Sequence, residues 1–193
     1  MSRKLTEAPR ALLGAALLLA SLWGASSANA KELSDRSVKV LMNYAWAILP
    51  SKFTAPNGKV IRVDKTKRKD IVIPLDVAKR VVKVGRLSAH AQICDLSTAQ
   101  SANFKTLMRK ELGSKKWSEQ QMLYISQLHL FTVMWLTGNV KLVEKDGNKE
   151  VVLNDKADKT KTQSCTKAEK LKVFKQIQSY VCRENAGHVI GCK

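Results

Sequence analysis

Seven side chains in the 193-residue chain could do covalent or metal chemistry: Cys94, Cys165, Cys182, Cys192, His90, His129 and His188. The cysteines are spaced 71, 17 and 10 residues apart. No C-x-x-C occurs, which excludes a thioredoxin-type dithiol, a haem attachment site and a zinc knuckle. His90-x-x-x-Cys94 sets an imidazole and a thiol one helical turn apart, the spacing of an activated thiolate or of half a metal site. An exported setting would instead make Cys94 a disulfide partner and His90 a surface residue. His129 lies in an apolar stretch with no sequence neighbour to act as its catalytic partner, the setting of a hydrogen-bonded core histidine. G-x-S-x-G, H-E-x-x-H, a Walker loop and an EF-hand loop are all absent. Neither a catalytic residue nor a cofactor or metal site is expected.

The helices that hold these residues restrict how the cysteines can pair. Thr166-Lys167-Ala168-Glu169 is a capping box, and Leu171, Phe174, Ile177 and Val181 form the expected apolar stripe of a last helix. Cys165 and Cys182 then sit at opposite ends of that helix, about 25 Å apart, too far for a disulfide. Two connectivities remain. Cys94–Cys182 with Cys165–Cys192 would need ten residues stretched back along the helix, near their reach of about 33 Å. Cys94–Cys165 with Cys182–Cys192 is therefore expected.

Ser34 introduces a first helical pattern carrying Val38, Leu41, Met42, Tyr44, Ala45 and Ile48, which Pro50 ends. Pro56-Asn57-Gly58 signals a turn. Val60–Val63 and Ile71–Ile73 are short β-type runs that predict a small hairpin across the basic connection Asp64–Asp70. Asp76 is the expected cap of a helix reaching about Cys94. Ser97–Gln100 and Ser118–Gln121 are two further capping boxes, their helices ending at Gly113 and at Gly138-Asn139. Ser118–Val140 carries one charge, Glu119, and is apolar nearly all round. Such a helix belongs at the centre of a bundle, because Gln120, Gln121, Ser126, Gln127, His129 and Thr132 interrupt it too often for a membrane span. Asp146-Gly147-Asn148 predicts a second hairpin, and Asn154–Ser164 reads as a linker. The expected class is mainly α: about five helices around an apolar central helix, stapled by disulfides, with one or two short β-hairpins.

The N-terminus reads as an address. Arg3, Lys4 and Arg10 precede an uncharged Ala11–Ala25, and Ala28-Asn29-Ala30 has the A-x-A cleavage pattern. A signal peptide over 1–30 and one basic domain over 31–193 are expected, hence an exported protein, periplasmic or secreted, not integral to the membrane once cleaved. Lys and Arg number 34 against 16 acids, a net charge of +18. Removing three basic residues and one acid with the leader leaves +16 over 163 residues.

The positive charge concentrates in Lys59–Asp70, Ser101–Trp117 and Lys141–Lys175, each carrying +4. It implies attraction to a polyanion: anionic lipid, lipopolysaccharide or acidic wall polymer. Specific nucleic-acid binding is not expected, since no recognition motif is present and no aromatics interleave the basic runs. Lys65, Lys67, Arg68 and Lys69 form one candidate footprint. A helical stripe of Lys79, Lys83 and Arg86, continued by His90, forms another. The expected function is a non-enzymatic exported binding module. Its rivals are an envelope enzyme or thiol protein using a histidine with a free cysteine, and a structural or chaperone-like module.

Overall fold

The computed structural model describes residues 33–140, 143–146, 149–152, 165–185 and 192. The expected leader, the 154–164 linker, the 147–148 turn and His188 lie outside them. The described chain is mainly helical. In order it forms α1 (Asp35–Ala47), β1 (Lys52–Thr54), β2 (Val60–Arg62), α2 (Arg68–Ile71), α3 (Leu75–Ile93), α4 (Ser97–Gly113), α5 (Glu119–Leu136), β3 (Val143–Asp146), β4 (Lys149–Val152) and α6 (Lys167–Glu184).

Ser34 caps α1, its Oγ accepting from the Ser37 N–H at 3.2 Å, and Val38, Leu41, Met42 and Ala45 are buried. The first hairpin differs from expectation. Val60–Arg62 pairs antiparallel with Lys52–Thr54, Phe53 opposite Ile61, rather than with Ile71–Ile73. Pro56-Asn57-Gly58 sets the closure, with Gly58 at φ +81°, a conformation that disfavours any side chain. Ile71 and Ile73 are 1% and 2% exposed and plug the core, while α2 occupies the basic connection. The second hairpin forms in the expected place, Asp146 opposite Lys149 and Val143 opposite Val152.

The expected apolar helix α5 packs against α3 and α1 and buries Leu123, Tyr124, Ile125, Leu128 and Phe131. Helix α3 is as central, touching α1, α4, α5 and α6. Gly85 makes the α3–α5 approach possible: a Cβ there would meet the Thr132 Cβ and Cγ2 at 2.9 Å. Asp76 does not cap α3. Pro74 takes that position, and Asp76 enters the first turn, where its charge suits the helix dipole.

Of the three expected capping boxes, those of Ser118 with Gln121 and Thr166 with Glu169 form. The Ser97 box does not, because the chain turns from α3 into α4 too tightly. Asp95 takes φ +57°, the Leu96 N–H reaches the Ala91 carbonyl at 2.8 Å, and Leu96 becomes the cap. Gln100 instead donates to Gln92 Oε1 at 3.0 Å. Helix α4 ends at Gly113, but Lys115, not the glycine, takes the left-handed turn at φ +54°.

Helix α6 is rotated from the expected stripe. It buries Val173, Ile177 and Tyr180 and leaves Leu171 and Phe174 exposed. A small second core of Ala91, Cys94, Ala99, Val173 and Ile177 fixes that rotation. The disulfides pair as expected, Cys94 with Cys165 and Cys182 with Cys192, at Cα separations of 5.0 and 5.2 Å.

Candidate functional site

The outward positions of α1 are Arg36, Lys39 and Asn43, all exposed and within about 60° of one another around the helix. Each end of this row meets one of the two expected footprints. At the start of α1, Lys79 forms an ion pair with Asp35 at 2.5 Å, which brings the α3 stripe alongside. About 16 Å further along the helix, the other footprint folds over its end. Arg68 donates to Asn43 Oδ1 at 2.5 Å, and Lys65 donates to the Trp46 carbonyl at 2.8 Å.

The Trp46 ring collects both cations, the Lys65 Nζ at 4.7 Å and the Arg68 guanidinium carbon at 5.9 Å from its centroid. These distances allow the attraction of positive charge to an aromatic face. Partial burial there lowers the Lys65 pKa from its ordinary value. Lys67 and Lys69 are exposed beside them.

Lys79, Lys83, Arg86 and His90 do share the outward face of α3, with Lys79, Lys83 and His90 exposed and Arg86 half-buried. Burial first, then the neighbouring Arg86 charge, lowers the His90 pKa and favours the neutral ring. Arg36 and Lys39 were missing from the sequence-derived footprint. They could have been found as the positions of α1 opposite Val38, Leu41 and Ala45. An open depression beside α2 places Arg62 and Lys67 among Asp70 and Glu119, a mixed lining that does not favour anions.

Among the described residues, neither His90 nor His129 has a free thiol beside it, since all four cysteines are in disulfides. His129 is 5% exposed, its ring against Phe104 and its Nε2 2.9 Å from the Ser88 Oγ. Asn103 donates to Ser88 Oγ at 2.9 Å and to the Val84 carbonyl at 2.9 Å. The Ser88 hydroxyl accepts from Asn103 and shares a second hydrogen bond with Nε2, in which the ring tautomer decides the donor. Burial pushes the His129 pKa down to about 4. Ser88 and Asn103 are both fully buried. The three side chains join α3, α4 and α5 by hydrogen bonds within the core.

A second polar junction ties α3 to α4. Arg80 places Nε at 3.0 Å and a terminal guanidinium nitrogen at 2.9 Å from Glu111 Oε1, while Trp117 donates to Oε2 at 2.9 Å. Glu111 is 2% exposed, so its charge is matched inside the fold. Among the described residues, no group of three or more histidines, cysteines or carboxylates is placed to hold a metal ion.

This geometry defines a class only: a disulfide-bonded, mainly helical, strongly basic module in which charge lines one helix and its neighbours. Comparison with known proteins adds no relative, since no family model, no curated protein and no solved structure matches the chain significantly. No described helix is long and apolar enough to cross a membrane.

Proposed function

We propose that the protein is an exported, non-enzymatic binding module that takes an anionic component of the cell envelope on the basic surface of α1, α2 and α3. The observation that carries this reading is the row of Arg36 and Lys39 on α1, continued at one end by Arg68 and Lys65 over Trp46 and at the other by Lys79. Positive charges aligned on a rigid helix raise the local concentration of a polyanion and cost little ordering on binding. Export is supported by the leader-like first thirty residues and by two disulfides, which persist in oxidising compartments. The rival thiol enzyme lacks its nucleophile in this oxidised form.

The test is a salt titration of binding to anionic vesicles and to a soluble polyanion such as polyphosphate. Affinity should fall steeply from low to physiological ionic strength. Arg36→Gln with Lys39→Gln should lower it at least tenfold at low salt, each cation contributing a factor of about five. Association that ignores salt, or no association at low salt, would remove this reading.

A further inference from the structure

Helix α6 turns an apolar pair to solvent. Its inward face takes Val173, Ile177 and Tyr180, and its outward face carries Leu171, 53% exposed, and Phe174, 45% exposed. Isolated exposed apolar residues are ordinary on a protein surface. These two are neighbours, three residues apart on one helical face. Lysines bracket them: Lys167 and Lys175 lie one turn to either side of Leu171, Lys170 one turn before Phe174, and Lys172 on the opposite flank. The acid nearest in sequence, Glu169, is occupied at the cap of its own helix, accepting from the Thr166 N–H and hydroxyl.

The helix cannot turn this pair inward. Cys165, two residues before its first turn, is bonded to Cys94 at the end of α3. Asn185, just past its end, hydrogen-bonds Thr106 of α4 at 3.2 Å. The apolar pair is therefore held outward on a preorganised support.

We propose that the outward face of α6 is a membrane-interface contact, in which Leu171 and Phe174 enter the headgroup region of an anionic bilayer and the surrounding lysines meet its phosphates. An amphipathic helix lying in the interface has this composition, with apolar side chains seated a few ångströms deep and lysine stems extending along the apolar surface to keep their ammonium groups wet. An acidic polymer would satisfy the lysines but offers nothing to the leucine and phenylalanine. A neutral bilayer would leave the lysine ring unpaired. An anionic bilayer matches both. This face lies on a different helix from the α1–α3 row, and it specifies lipid where that row specifies only negative charge.

The experiment uses protein purified in the form that accumulates in the producing cell. Sedimentation with vesicles of phosphatidylcholine and phosphatidylglycerol is compared with binding to polyphosphate. Leu171→Ser with Phe174→Ser should weaken vesicle binding at least tenfold and leave polyphosphate binding within twofold, with unchanged circular dichroism and melting temperature. Leu171→Trp with Phe174→Trp should strengthen vesicle binding, because indoles favour the interface. Lys167→Gln with Lys175→Gln should weaken it roughly 25-fold at low salt, each lysine near an anionic surface contributing a factor of about five. If the serine pair binds vesicles as the unaltered protein does, α6 is not the contact, and the α1–α3 reading stands if its own variants still fail. If the unaltered protein binds neither vesicles nor polyphosphate, both readings fall.

Discussion

The main core and the α6 attachment solve the same packing problem with different means. Where α1, α3 and α5 meet, burial is dense. Leu41, Ala45, Val81, Ile125 and Leu128 are at most 1% exposed, and the Tyr124 hydroxyl reaches the Met42 carbonyl at 2.9 Å. Where α6 meets α3 and α4, the apolar seam is thin, and specific ties do more of the work. The Cys94–Cys165 bond, the Lys110–Glu184 ion pair at 2.7 Å and Asn185 bonded to Thr106 and Arg109 pin the helix. A helix that buries a narrow stripe leaves the rest of its surface available, and α6 exposes apolar and cationic side chains there. The difference teaches where covalent ties matter most: at the element whose packing alone is weakest.

Breaking the covalent tie should have the largest effect. The Cys94–Cys165 bond closes a sequence separation of 71 residues, against 10 for Cys182–Cys192. Constraint of the unfolded chain grows with loop length, so Cys94→Ala with Cys165→Ala should cost about 4 kcal/mol and the Cys182–Cys192 pair about 3 kcal/mol. Denaturant midpoints compare them. Hydrogen exchange should show α6 amides losing protection before those of α3 and α5. Equal protection across all three helices would mean that α6 is held by the main core after all.

The main core has its own vulnerable tie, and pH reaches it. His129 is neutral in the fold, its pKa pushed down to about 4 by burial, against about 6.5 in an unfolded chain. A base whose folded pKa is depressed favours the unfolded state once the solution can protonate that state. Its stabilising contribution is complete above pH 6.5 and is lost progressively as pH falls to about 4. The loss approaches about 3 kcal/mol. His129→Gln, which keeps a hydrogen-bonding partner for Ser88 and cannot titrate, should flatten this slope relative to the unaltered protein. A slope that persists in the variant would assign the pH dependence to carboxylates such as Glu184, whose pKa burial raises but the Lys110 and Arg183 cations together bring below its ordinary value.

Sequence reasoning read the main core better than the attachment, for a physical reason. In α5, apolar residues fall on every face of the helix, so it is central in any rotation. In α6, two stripes share Ile177: Leu171–Phe174–Ile177 and Val173–Ile177–Tyr180. Both satisfy helical periodicity, and the sequence alone does not rank them. The choice follows from the bonds at Cys165 and Asn185, which depend on residues far away in the chain. The disulfide pairing was legible in part: helix length excludes Cys165–Cys182, and the reach of ten residues disfavours Cys165–Cys192, without any knowledge of packing. The Ser97 box was misread because Asp95 turns the chain before the serine can act, and the Val60 hairpin because Ile71 and Ile73 are core plugs rather than strand residues. The grouping of the basic residues within each segment was legible by itself. Their connection through Arg36 and Lys39 is tertiary, set by the contacts of Lys79 with Asp35 and of Arg68 with Asn43.

The smallest effect sharpens the comparison most cleanly, because the same motif occurs in both regions. Ser118 caps α5, accepting from the Gln121 N–H at 3.2 Å, and Thr166 caps α6, accepting from the Glu169 N–H at 3.2 Å. Loss of either hydroxyl removes one helix-terminal acceptor, which costs about 1 kcal/mol. The accepted backbone bond is the same in both, with one further bond from the Thr166 hydroxyl to Glu169, so a smaller midpoint shift in Thr166→Ala than in Ser118→Ala reports how each helix is coupled to the whole. Helix α5 is shared by the main core, and Ser118→Ala should lower the global unfolding free energy by nearly the full amount. Helix α6 can fray at its first turn while Val173, Ile177 and the Cys94–Cys165 bond hold the remainder. Thr166→Ala should therefore lower protection of amides 167–171 and leave the denaturant midpoint almost unchanged. Equal shifts of the midpoint in the two variants would show that both regions unfold as one cooperative unit, and that the thin seam is as firmly coupled as the core.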